Sequence, residues 1–213
     1  MLIPTMTDAE KRKQAIDDIN DVNRYVSYEL NKKLSKEVKK FSKFPRTFKT
    51  TYTTKNRNKY FLLFRCYSRN TIDKPHWTHS YTIMDSSEGK YAMIAVTHAK
   101  VVETFQIYAP HLFARYTERY GCDMYEEERI HRFMEDSVEI KYSGVREYEE
   151  GKVMSVVNGG VILGDKKGDI IIFKTFVDEE RLFDEQIELG KDIVEKFYKR
   201  DEDYRLMYRK VKK

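Results

Sequence analysis

No stretch of this 213-residue chain approaches the 18 or more consecutive apolar residues of a membrane-spanning helix. Its first residues, Met1-Leu2-Ile3-Pro4-Thr5-Met6, lack the positive start and apolar run of a secretory signal. Cysteine is scarce. Cys66 and Cys122 have no metal spacing and do not form a disulfide framework. A reducing cytoplasm is therefore the expected compartment. Cys66 sits in an apolar strand pattern and reads as a small core residue. There is no glycine-rich phosphate loop, no G-x-S-x-G nucleophile elbow and no paired zinc-cysteine motif. No internal repeat or low-complexity linker is visible, and no metal or cofactor is expected.

What the chain does have is charge and aromatic residues. Charged residues make up 35%, hydrophobic ones 40% and aromatics 14%, with 16 Tyr and 12 Phe. That aromatic content argues for a folded protein with a wet surface and an aromatic-rich core. The charge is unevenly distributed. Residues 1–74 carry 18 Lys and Arg against 8 Asp and Glu, whereas residues 120–190 carry 9 against 18. Either the basic part faces nucleic acid or another polyanion, or the two parts complement each other within a molecule or between subunits.

Thr7-Asp8-Ala9-Glu10 is a capping-box pattern. Apolar residues then recur at Ile16, Ile19, Val22, Val26, Leu30, Leu34, Val38 and Phe41, in steps of three and four. The period predicts one helix of more than 30 residues, or two with a break, ended by Pro45. Such a helix needs a partner along its length, either a sheet or a second subunit in a homo-oligomer. An antiparallel meander follows, with strands expected at 47–54, 59–68, 77–84, 91–96 and 101–108 and a loop at 69–75. Pro110 to Tyr120 reads as a helix stopped by Gly121, and Asp123-x-x-Glu126 as the cap of another. Ile130, Phe133 and Met134 form that second helix's apolar stripe. A second meander has strands at 153–157, 160–163 and 169–177, with an Asn158-Gly159 hairpin signal. The tail from Asp178 is helical and ends in a basic stub. The fold class is α+β. Residues 1–107 are expected to form a basic helix-plus-sheet part and residues 108–213 a helix pair, a β meander and a C-terminal helix, either as two parts or packed as one domain.

Five constellations bear on function. On the helix at 110–120, His111, Arg115 and Arg119 fall at i, i+4 and i+8, on nearly one face. A first-turn histidine is kept neutral by the helix dipole and suits a general base. The arginines suit a phosphodiester and its transition-state charge. The bland alternative is a surface helix whose Glu118 satisfies Arg115. Lys174 interrupts the apolar run Ile170 to Val177, so it points either from a solvated face or, beside Thr175, into an anion-binding cleft. The lysines Lys32, Lys33, Lys36, Lys39, Lys40 and Lys43 line the end of the first helix. They read as a solvated face or as a nucleic-acid contact strip. His76-x2-His79 with His98 is poor metal spacing, because residues three apart on a strand face opposite ways. Tyr52, Tyr60, Tyr67, Trp77 and Tyr81 lie among basic residues and could stack on bases or simply pack.

The order His111-x3-Arg115-Tyr116-x-Glu118-Arg119 on a helix, then a second helix, then a hairpin-rich sheet ending in Ile171 to Val177, resembles small barnase-like toxin ribonucleases and related phage or mobile-element domains. The resemblance spans about residues 108–178. It implies a site with His111 and Arg115 on the helix and Thr175, with Lys174, on the strand. Two readings result. One is a cytoplasmic RNA-acting protein with a metal-independent ribonuclease site at His111, Arg115, Arg119, Lys174 and Thr175. The other is a non-enzymatic interaction or nucleic-acid-binding module using Lys32, Lys36, Lys39, Lys40 and Lys43, oligomeric through its first helix. An enzyme needs His111, Arg115 and Thr175 to converge; a module does not.

Overall fold

The computed structural model describes residues 2, 6–44, 46–66, 76–98, 101–119, 124–137 and 144–193. Pro45, the 69–75 loop, Tyr67, Gly121, Cys122, Asp123 and the basic stub lie outside these. The chain is α+β with an N-terminal helix, and it divides into two compact units, Met1–Ile107 and Tyr108–Lys213.

The first unit opens on α1 (Asp8–Tyr25), a π turn (Val26–Leu30) and α2 (Asn31–Val38). The capping box forms: the Glu10 amide donates to Thr7 Oγ1 at 3.3 Å, and the Thr7 amide to Glu10 Oε2 at 2.8 Å. The helical path does not break at the π turn. Tyr25 (φ −57°, ψ −47°) and Leu30 (φ −68°, ψ −40°) keep right-handed dihedrals, and the Asn31 amide donates to the Val26 carbonyl. The spacing of the apolar residues accounts for the π turn. From Val22 to Val38 the stripe advances in steps of four, and each step overshoots an α turn by about 40°. A π turn holds more residues per turn and offsets part of that drift.

The stripe's partner is the strand ladder of the same unit. Ile19, Val22, Val26, Leu30 and Leu34 cluster with Tyr60, Leu62 and Phe64. Tyr25 stacks on Tyr52, with centroids 4.2 Å apart. The strands are β1 (Arg46–Thr53), β2 (Lys59–Cys66), β3 (His76–Ser86), β4 (Gly89–His98) and β5 (Val101–Tyr108). Strands β1 to β4 pair antiparallel with their sequence neighbours. Cys66 is a buried free thiol, and burial raises its pKa.

Two carboxylates of α1 hold the β1–β2 turn. Asp18 is 0% exposed and accepts from Asn56 Nδ2 at 3.1 Å and from Asn58 Nδ2. Asp21 Oδ2 accepts from the Tyr52 hydroxyl at 3.2 Å and the Lys55 amide at 3.0 Å. Asn58 Oδ1 in turn accepts from the Leu2 amide at 2.7 Å. A buried carboxylate is tolerated only with such donors.

The second unit contains α3 (Pro110–Arg119), α4 (Glu126–Asp136), β6 (Val145–Glu149), β7 (Lys152–Val157), β8 (Gly160–Lys167) and β9 (Ile170–Asp178). A 3-10 turn, Glu179–Arg181, and helical backbone over 184–193 (α5) follow. Strands β6 to β9 also pair antiparallel in sequence order. Two expectations need correction. Strand β6 was not anticipated, because its residues, VREYE, are mostly polar. The α4 cap is Tyr125, whose amide donates to Glu128 Oε2 at 3.2 Å, two residues later than an Asp123 cap would place it.

One face of the β6–β9 ladder carries α3. Tyr108, Phe113, Tyr116 and Phe133 pack with Phe173 and Phe176 of β9; Tyr108 lies 5.2 Å from Phe173 and Tyr116 5.2 Å from Phe176, centroid to centroid. The other face carries α5, where Ile193 and Leu189 join Met154, Val156, Val161, Leu163 and Val177. Phe173 and Phe176 are three apart and so cannot share a face of a regular strand. A β-bulge opposite Leu163 and Gly164 reverses the alternation between them.

Gly164 makes this crossing tight. A Cβ there would sit 2.2 Å from the Ile172 carbonyl oxygen, whereas at Gly168 (φ +60°) it would meet nothing within 4 Å. Gly164→Ala is expected to lower stability by about 3 kcal/mol, since backbone must move. Gly168→Ala pays only the left-handed backbone, about 1 to 2 kcal/mol. Urea unfolding of both variants checks the order; equal losses would contradict the close approach. In the first unit, Asp18→Ala is expected to cost about 2 to 3 kcal/mol, because it strips the acceptor from the buried Asn58 amide and the half-buried Asn56 amide. An unchanged urea midpoint would show that the carboxylate does not hold the turn.

Candidate functional site

Helix α3 buries Leu112, Phe113, Tyr116 and Thr117 and exposes His111 and Arg115. Pro110 starts it, and the spacing of these residues sets the two sides. Arg115 Nε donates to His111 Nε2 at 3.4 Å, and Arg115 Nη1 lies 3.1 Å from Glu118 Oε2. Arg119 Nη2 reaches Glu180 Oε2 at 2.8 Å and lies 3.9 Å from Asp178 Oδ1. Exposed pairs of this kind contribute about 0 to 1 kcal/mol and can exchange for a phosphate. The pairing alone therefore does not remove these groups from a site. Strand geometry does more.

Lys174 and Thr175 lie at the bulge of β9, which puts both opposite Leu163. Leu163 belongs to the α5 face, with Met154, Val161 and Ile193. Lys174 Nζ bonds Asp165, which is in register with Lys152 and bonds its Nζ at 2.8 Å. Helix α3 packs on the other face, where its Tyr116 meets Phe176 and its Phe113 stacks on Tyr108, which lies against Phe173. The structure therefore brings His111 and Arg115 together and Lys174 and Thr175 together, but sets the two pairs on opposite faces of the ladder. The convergence expected of a ribonuclease site is not formed by these residues. The sequence reading missed the bulge: a lysine and a threonine side by side in a buried run mark where the alternation slips.

The arrangement around Asp165 is a surface triad. Hydrogen bonds from Lys152 and Lys174 hold the Asp165 carboxyl down to about 2. The same bond raises Lys152 above its ordinary value. Sequence reasoning singled out Lys174 but not its partner. The Asp165↔Lys152 register could have been read from the Asn158-Gly159 turn.

The lysine strip is the other candidate. Lys32, Lys33, Lys36, Lys39, Lys40 and Lys43 are all exposed. Leu34 and Val38 turn inward between them. Lys40 pairs with Glu37 at 2.6 Å. The other five have no ion-pair partner among the described residues. His76 and His79 lie in β3 and His98 ends β4. No described group of three or more His, Cys, Asp or Glu could hold a metal ion. No described helix is long and apolar enough to cross a membrane.

The Asp165 triad gives a pH test. Its folded-state carboxyl is depressed, so the stability it adds is present above the unfolded value near 3.8 and is lost as pH falls through about 2. NMR titration of the Asp165 side chain is expected to show that low value, and Lys174→Ala is expected to move it upward. An ordinary carboxyl titration in the wild type would mean that the lysines do not hold it.

Compared with family models, with curated proteins and with solved structures, the chain gives no match. What it does must therefore be argued from the chemistry of its own residues.

Proposed function

We propose that this protein is a non-enzymatic nucleic-acid-binding module whose contact surface is the lysine face of α2 and the turn after it. One observation carries the reading: Lys32, Lys33, Lys36, Lys39 and Lys43 are exposed and lack acidic partners among the described residues. Unpaired lysines along one helix favour a phosphate backbone, whose condensed counterions they release on binding. Lysine recognises phosphate as a point charge and reads no base, so the affinity is independent of sequence. RNA is the polyanion we assign; the first reading of the sequence names it, and the second leaves the polyanion open.

The ribonuclease reading rests on His111 and Arg115, which share an exposed helix face and touch each other. It requires a second set of groups on that face, and Lys174 and Thr175 do not supply it. The module reading needs no such convergence.

Fluorescence anisotropy of a labelled single-stranded RNA, titrated with salt, tests the proposal. Three to five phosphate contacts give a log–log slope of about −2 to −3.5, at −0.7 per contact. Lys36→Glu with Lys39→Glu is expected to flatten that slope and leave the melting temperature near that of the wild type, both side chains being exposed. No binding at low salt, or binding insensitive to salt, would overturn the reading. A mixed RNA pool incubated with the protein is expected to stay intact. Cleavage that disappears in a folded His111→Ala variant would restore the enzyme.

A further inference from the structure

Tyr28 is the exposed aromatic that the fold of the first unit does not use. It is 70% exposed, the largest exposure of any aromatic in that unit's described residues. Among the described residues no hydrogen bond or ring contact engages it. A tyrosine facing solvent on a helix forgoes about 1.5 to 3 kcal/mol of burial, which sets it apart from its neighbour Tyr25, stacked on Tyr52.

Its position is set by the π turn, Val26–Leu30, at whose centre it lies. Val26 and Leu30 point into the core on either side of it. Lys32 and Lys36 follow Tyr28 by four and eight residues, the spacing of one helix face. Taking Leu30, Leu34 and Val38 as the buried side, Lys32, Lys36 and Lys39 fall within about 60° of one another on the opposite side. Tyr28 heads that row. From Tyr28 to Lys39 the row spans about 16 Å, at about 1.5 Å of rise per residue. Acidic residues are sparse along it: Glu29 stands beside Tyr28, and Glu37 is engaged by Lys40.

We infer that Tyr28 is a base-stacking platform at one end of the lysine row, and that the surface therefore selects single-stranded over double-stranded nucleic acid. The inference rests on the nucleic-acid-binding reading above and adds the strand class to it. The row of lysines follows the phosphates, and the phenol ring offers its face to an unstacked base. In a duplex the base faces are covered by their neighbours, so the ring has nothing to stack on. Stacking tolerates any base.

The test compares a single-stranded RNA of about ten nucleotides, its duplex and inorganic polyphosphate as probes of the full chain. Tyr28→Ala is expected to weaken single-strand binding about tenfold or more and to leave polyphosphate binding as in the wild type. Tyr28→Trp is expected to restore or exceed wild-type single-strand affinity. If Tyr28→Ala binds the single strand as the wild type does, while the double variant at Lys36 and Lys39 loses it, the stacking inference falls and the lysine reading stands. If Tyr28→Ala weakens RNA and polyphosphate alike, the ring does not stack and the inference falls. If the wild type binds neither RNA nor polyphosphate at low salt, both fall together.

Discussion

An apolar stripe that advances by fours cannot stay on one side of a regular α-helix, and the first unit is built around that constraint. From Val22 to Val38 the drift would carry Leu34 and Val38 well away from the strands that Ile19 and Val22 cover. The π turn at Val26–Leu30 takes up part of the excess, and Leu30 and Leu34 stay packed with Tyr60, Leu62 and Phe64. Asp18 and Asp21 fix the other end by seizing the β1–β2 turn. The outer side of the helix is a consequence of the same seating. With the stripe held inward, Tyr28, Lys32, Lys36 and Lys39 have only solvent to face.

The second unit meets a similar problem on a strand. The face that carries α3 needs both Phe173, against Tyr108, and Phe176, against Tyr116, and α5 needs Val177. A regular two-residue alternation cannot supply all three. The bulge at Lys174 and Thr175 reconciles them by giving two residues to one partner. It is also the reason that these two side chains leave the α3 face. The packing that makes β9 a good core strand is what separates the groups a ribonuclease site would need together.

Much of this architecture was legible in the residues. The Thr7 capping box, the turn at 55–58, strand β5 over 101–108, Pro110 as a helix start and the stripe Ile130, Phe133 and Met134 all follow from local chemistry, which the sequence spells directly. What was not legible depends on partners distant in the chain. Asp18 and Asp21 look like ordinary helix-surface acids until the hairpin's Asn56 and Asn58 arrive beside them. Strand β6 has almost no apolar pattern and exists because β7 offers it a ladder. The candidate site failed to assemble for the same kind of reason. His111, Arg115 and Arg119 were placed correctly on one helix by spacing, but the face of Thr175 was decided by a bulge that no short-range pattern encodes.

Charge pairing explains why the basic surface belongs to the first unit rather than to the chain as a whole. In the second unit, cations find acids of the same unit: Lys152 and Lys174 on Asp165, Lys166 on Glu147, Arg146 on Asp192, Arg119 on Glu180 and Lys191 on Glu188. In the first unit, several of the few acids are withdrawn from the lysines by structural tasks. Glu10 closes the capping box, and Asp18 and Asp21 hold the hairpin. Along the row, Glu29 stands beside Tyr28 and Glu37 takes Lys40. The lysines of the row that have no ion pair among the described residues stand on the helix whose Asp18 and Asp21 are taken up by the hairpin.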